Sequence, residues 1–167
     1  RNTFALQIIN EYDVAKNKKF PKKDIKPFPY MATRYLQLQH SSKTGATSGD
    51  GRGIWNGCFR HNNQTWDISS CGTGATRLSP HYAQTGKPVR TGDPSVCYGS
   101  GWAEVDEGLS AAIMSEIFHS RGILTERTLV ILQAPKGNAI NVRAAPNLLR
   151  PSHLFLPHKQ NNQIKLR

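Results

Sequence analysis

Apolar and polar positions set out two strand pairs with one helix between them. Gly53 to His61 (Gly-Ile-Trp-Asn-Gly-Cys-Phe-Arg-His) and Thr65 to Ser70 read as strands, and His61-Asn62-Asn63-Gln64 reads as the turn of a β-hairpin. Thr128 to Ala134 and Ala139 to Ala144 predict a second pair around the turn Pro135-Lys136-Gly137-Asn138. Glu104 to Ser120 predicts the main helix, because Val105, Leu109, Ile113 and Ile117, with Ala112 and Glu116, follow helical spacing. Glu104, Asp106 and Glu107 sit where the helix dipole favours acids, and Arg121-Gly122 reads as its end. Residues 3–15 fit a short helix or a strand, and so do residues 30–39. Lys16 to Pro29, Ser41 to Gly53 and the long stretch Gly72 to Gly101 read as loops, the last one functional or a lid. The predicted class is α+β: an antiparallel sheet with one main packed helix.

Composition narrows the partners. The chain has 167 residues, enough for one domain with a core, and its net charge of +11 suits a partner rich in negative charge. A solvated basic surface is the plain alternative. Lys16, Lys18, Lys19, Lys22, Lys23 and Lys26 crowd one segment, and Lys159, Lys165 and Arg167 close the chain. Aromatics do not interleave with these cations, which disfavours nucleic acid. Cys58, Cys71 and Cys97 form neither a zinc pattern nor a disulfide framework, so a reducing compartment is the default. No apolar run approaches the roughly twenty residues of a membrane helix. The chain starts at Arg1, which reads as a processed or truncated amino end and leaves targeting illegible.

The densest chemistry lies between Gly49 and Pro80. Asp50-Gly51-Arg52 precedes the first hairpin, and Gly72-Thr73-Gly74 follows it. A strand ending in a small glycine loop lets backbone amides approach a phosphate, and a nearby arginine adds a charged fork.

These blocks, with two more, resemble the selenoprotein O family and its bacterial YdiU relatives, over roughly residues 30 to 156. The family's Gly-Asp-Gly-Arg-(Ala/Gly) stands here as Gly49-Asp50-Gly51-Arg52-Gly53. Its Trp-(Asp/Glu), three residues, Lys-Gly-(Ala/Ser)-Gly, one residue, Thr stands as Trp66-Asp67-Ile68-Ser69-Ser70-Cys71-Gly72-Thr73-Gly74-Ala75-Thr76. Its Ser-Glu-Ala-Met-His, two residues, Gly-Ile-Pro-Thr, one residue, Arg-Ala-Leu runs from Ser115 to Leu129. Its Arg-Val-Ala-Pro-Ser, two residues, Arg stands as Arg143-Ala144-Ala145-Pro146-Asn147-Leu148-Leu149-Arg150.

The resemblance implies a protein-kinase-like amino-terminal lobe and an enzyme that moves AMP from ATP to Ser, Thr or Tyr hydroxyls of proteins, with Mg or Mn. It implies Arg52 and Arg143 as phosphate ligands, Arg150 as a weaker one, and Gly72 and Gly74 as the close turn at the nucleotide. It also implies a cytoplasmic protein, as for the bacterial relatives. The family's phosphate-binding lysine falls at Cys71 and its partner glutamate at Ala111. Lys43 or Lys87 is a candidate replacement for the lysine, and Glu107, one turn before Ala111, for the acid. Cys71 as a nucleophile is a further reading. The family's catalytic base and metal ligands are expected beyond residue 167, so no catalytic or metal residue is assigned in this chain.

The expected organisation is a partly basic extension over 1–29, an incomplete nucleotide-binding lobe over 30–156, and a polar basic tail over 157–167 without a closing helix, at a truncation. The leading functional expectation is the nucleotide-binding part of a protein AMP-transferase. The alternative is a catalytically inactive pseudoenzyme lobe acting as a protein-interaction module, motivated by Cys71 and Ala111.

Overall fold

The computed structural model describes residues 6–10, 29–33, 35–36, 47–48, 51–87, 89–96, 99–146 and 148–163. Its centre is an antiparallel, seven-stranded sheet. From one edge run β1 (Leu6–Asn10), β2 (Pro29–Thr33), β5 (Gly53–His61), β6 (Gln64–Cys71) and β9 (Asn138–Ala145). β7 (Ala103–Glu104) continues the line of β6 along β9, and β8 (Arg127–Gln133) covers the other side of β9. A separate two-stranded ribbon joins β3 (Tyr35–Leu36) to β4 (Thr47–Ser48). The described residues are thus of mixed α and β structure with an antiparallel sheet, as the hydrophobic pattern predicts.

Both predicted strand pairs form. In the first, Asn62 and Asn63 have φ values of +48° and +59°, the left-handed pair of a type I′ turn that asparagine tolerates. The register shifts between Trp55 and Cys58, a bulge in β5. In the second pair, β9 is the best-protected strand, with Ala139, Asn141 and Ala144 buried between β6 or β7 on one side and β8 on the other.

The main helix, α2 (Val105–Ser120), lies over β8 and β9. It begins with Asp106 and Glu107 in its first turn and closes at Arg121-Gly122, where the Gly122 N–H donates to the His119 carbonyl at 2.9 Å. Its apolar stripe, however, does not face the sheet. Leu109, Ile113 and Ile117 are exposed, Ile113 at 60 %, and so are Met114 and Phe118. The buried positions are Gly108 and Ser115, flanked by half-buried Ala111 and Ala112. These small residues share the same helical spacing and bring the helix close to the sheet. A Cβ on Gly108 would lie 2.2 Å from the Asn141 Oδ1, which only glycine avoids.

Two arginine forks strap α2 to the strands. Arg127, at the start of β8, holds Glu116 through Nε and Nη2 at 2.9 and 2.8 Å. Arg52, just before β5, holds Glu107 through both terminal nitrogens at 2.8 and 2.7 Å.

Two expectations from the sequence change, and one open alternative is resolved. The Gly72–Gly101 stretch is not all loop: it contains α1 (Pro80–Thr85), whose Ser79 cap accepts from the Tyr82 N–H at 3.1 Å. The chain end does carry a helix, α3 (Pro151–Lys159), which crosses the expected boundary at residue 156 and packs against β3. Residues 6–10 and 29–33 are strands, not helices. Lys16 to Lys26 lie outside the described residues.

Candidate functional site

Strand register places the key residues. Cys71 pairs with Asn141 and Ser69 with Arg143, so side-chain alternation puts Cys71, Asn141 and Arg143 on one face of the sheet. That face carries α2, because the Asn141 side chain lies under Gly108. Two Arg–Glu contacts bracket it.

At the first, Arg52 is engaged through both terminal nitrogens. Besides its fork on Glu107, Nη1 donates to the Trp102 carbonyl at 2.9 Å. Its own carbonyl accepts the Gly72 N–H at 2.8 Å. The Gly72-Thr73-Gly74 turn packs into the same joint. Gly72, at φ +95°, has the Ala139 carbonyl oxygen 2.3 Å from where a Cβ would stand. The Gly74 N–H donates to the Gly101 carbonyl at 3.1 Å, and the Ala75 and Thr76 amides donate to Thr91 Oγ1 and the Gly51 carbonyl. The amides that a phosphate cradle needs are therefore donated to protein acceptors.

The second contact borders an open cavity of about 500 Å³. Its lining includes Leu124, Glu126, Arg143, Pro146, Leu148 and Arg150. Arg143 Nη1 donates to Glu126 Oε1 at 2.6 Å, and Arg150 Nη2 stands 3.9 Å from Glu126 Oε2. Arg143 Nε is buried and makes no hydrogen bond among the described residues. Guanidinium has five N–H donors, so this end of the sheet keeps donor capacity in reserve.

Arg150 is held from behind. Its N–H donates to His153 Nδ1 at 2.8 Å, and the His153 N–H donates to the Arg150 carbonyl at 2.9 Å. With Pro151 at the first helical position, this is one half of a capping box, with an imidazole nitrogen in place of the usual Glu or Gln oxygen. His153 is 3 % exposed. Burial, aided by the Arg150 charge, lowers its pKa from 6.5 to about 4, so the ring stays neutral at pH 7 with its proton on Nε2.

The structure thus brings Arg143 and Arg150 together and puts Arg52, Gly72 and Gly74 in a packed joint at the other bracket. Cys71 is buried beneath α2 at 3 % exposure, out of reach of an external electrophile. Ala111 is half-buried against the sheet. Glu107 meets Arg52 and not a lysine. Lys87 is exposed after α1, and Lys43 lies outside the described residues.

Glu126 and His153 are the residues that sequence reasoning missed. Glu126 is invisible as a partner of Arg143 until the β8–β9 register is known. For His153 a signal existed: proline immediately after Arg150 is a helix-start mark. Among the described residues, no group of three or more His, Cys, Asp or Glu side chains is arranged to hold a metal ion, and no helix is long and apolar enough to cross a membrane. No family model, curated protein or solved structure matches the chain.

Proposed function

We propose that the chain is the nucleotide-binding part of a protein AMP-transferase, with a kinase-like amino-terminal lobe. The observation that carries the reading is the convergence of Arg143 and Arg150, both from the fourth resemblance block, on one cavity of about 500 Å³. The four ordered blocks and the sheet–helix–sheet layout support the same reading. In it, Arg143 and Arg150 hold the phosphates of ATP. Mg or Mn would supply further neutralisation of the phosphate charge there. The acceptor is a Ser, Thr or Tyr hydroxyl of a target protein. A cytoplasmic setting belongs to the same proposal.

Arg52, Gly72 and Gly74 support the site indirectly, by fixing the joint between β5, β6 and α2. The test is calorimetry with ATP, with and without Mg or Mn. The expected outcome is binding by the full chain and a loss of about a hundredfold or more in Arg143→Ala, in line with removal of a charge-assisted pair. Unchanged affinity in that variant excludes the assignment.

A second reading, an inactive pseudoenzyme lobe that binds proteins, is favoured by a different observation. Leu109, Ile113, Met114, Ile117 and Phe118 are all exposed on α2. Absence of ATP binding under every metal condition would leave this reading standing.

A further inference from the structure

We infer that Glu126 is a built-in counter-ion of the Arg143–Arg150 pair, and that a phosphate-bearing ligand enters the cavity by displacing its carboxylate. The inference rests on the anion site of the proposed function and adds to it how that site is controlled. Glu126 stands between the two arginines, with Oε1 at 2.6 Å from Arg143 and Oε2 at 3.9 Å from Arg150. It occupies the position that a bridging phosphate oxygen would take.

The two bonds are unequal, and this inequality suits exchange. Only the Arg143 contact is a hydrogen bond, while the Arg150 contact is an ion pair at the edge of range. Arg143 and Glu126 side chains are 16 % and 28 % exposed, so the pair is partly withdrawn from water yet open to the cavity. Two arginines against one carboxylate leave a single net positive charge. A ligand with several negative charges satisfies both guanidinium groups better than Glu126 does, because it brings more oxygens and reaches Arg150 directly. A monoanion gains little, because it exchanges one oxygen pair for another. Glu126 therefore acts as a threshold: it half-neutralises the arginine pair and keeps it ordered in the free protein, and it selects for polyanions.

The contrast with the other bracket sharpens the inference. Glu107 takes both terminal nitrogens of Arg52, and the Gly72 turn packs into the same joint. It is a strap.

The test uses inorganic tripolyphosphate and ATP as separate probes on the full chain, wild type and Glu126→Gln, by calorimetry and thermal melting. Glu126→Gln keeps the shape and removes the competing charge. The expected result is tripolyphosphate binding roughly ten- to a hundredfold tighter than wild type, the equivalent of losing one charge-assisted competitor. Glu126→Gln should melt lower than wild type without ligand and recover with tripolyphosphate, because the ligand replaces the missing counter-charge. Adding Arg150→Gln to the variant should abolish most of the gain. Glu126→Ala is the second variant, and the same gain is expected there if glutamine disturbs packing. Equal or weaker tripolyphosphate binding in both Glu126 variants, with wild-type binding intact, overturns the inference and leaves the anion site standing. Tighter tripolyphosphate binding without any ATP binding supports the inference and overturns the nucleotide reading. Failure of every protein to bind tripolyphosphate overturns both.

Discussion

Arg52 and Arg143 are residues of one type, each before or within a central strand, each facing a glutamate from a neighbouring element. Their surroundings differ. Arg52 spends both terminal nitrogens on Glu107 and one of them also on the Trp102 carbonyl, and a packed glycine joint closes around it. Arg143 makes one short bond to Glu126 through Nη1 and borders a cavity shared with Arg150. The lesson is that what surrounds an arginine, and not its presence in a motif, separates the two ends: terminal nitrogens spent on protein acceptors at Arg52, and a cavity shared with a second arginine at Arg143. In the proposed function Arg143 and Arg150 are the ligand-binding pair and Arg52 is the strap.

The largest effect that separates the two ends concerns binding. Arg143→Ala is expected to weaken tripolyphosphate affinity about a hundredfold, and Arg52→Ala by less than about threefold in the folded fraction, measured by calorimetry. Equal losses would erase the distinction.

Acid should act on the Arg150 end. His153 has its folded pKa depressed to about 4 from 6.5, by burial and then by Arg150. The unfolded chain takes up this proton near pH 6.5, while the folded chain refuses it until about pH 4. Stability is therefore fully present above about pH 6.5 and falls as the pH drops toward 4. The loss from this group is on the order of 3 kcal/mol. His153→Asn keeps an acceptor for the Arg150 N–H without a titrating ring, so melting curves should lose this part of the pH slope. An unchanged slope would show that other groups set it.

The helix seat should also respond. Gly108→Ala puts a methyl against Asn141 and is expected to cost about 1–3 kcal/mol in denaturant unfolding, with Asn141 at only 4 % exposure unable to move aside freely. A neutral result would mean that α2 sits farther from β9 than the geometry indicates. The smallest effect is the strap itself. Arg52→Ala should destabilise the fold by roughly 1 kcal/mol, because Glu107 is 45 % exposed and its charge is screened by solvent. A loss several times larger would make this joint a main support of the fold.

Much of the fold is legible in the sequence. The hairpin turn at Asn62-Asn63, the strand pair around Pro135, and both ends of α2 follow from local chemistry that acts within a few residues. The seat of α2 was not. Its large stripe (Leu109, Ile113, Ile117) and its small stripe (Gly108, Ala111, Ser115) have the same period, and only tertiary packing decides which one meets the sheet. α3 was missed because the polar tail hides its start; the Pro151 mark and the His153 cap become meaningful once Arg150 is seen to be capped. At the candidate site, Arg143 and Arg150 were named from the resemblance and do share a cavity. Glu126 went unnamed because its role depends on β8 lying beside β9, a long-range register that no local pattern encodes.

The most direct test of the account follows arginine Nε–Hε resonances of the full chain during titration with ATP. The account predicts that the Arg143 and Arg150 signals shift and sharpen as ligand is added, while the Arg52 signal stays in place. Movement of the Arg52 signal with Arg143 and Arg150 unmoved would contradict it.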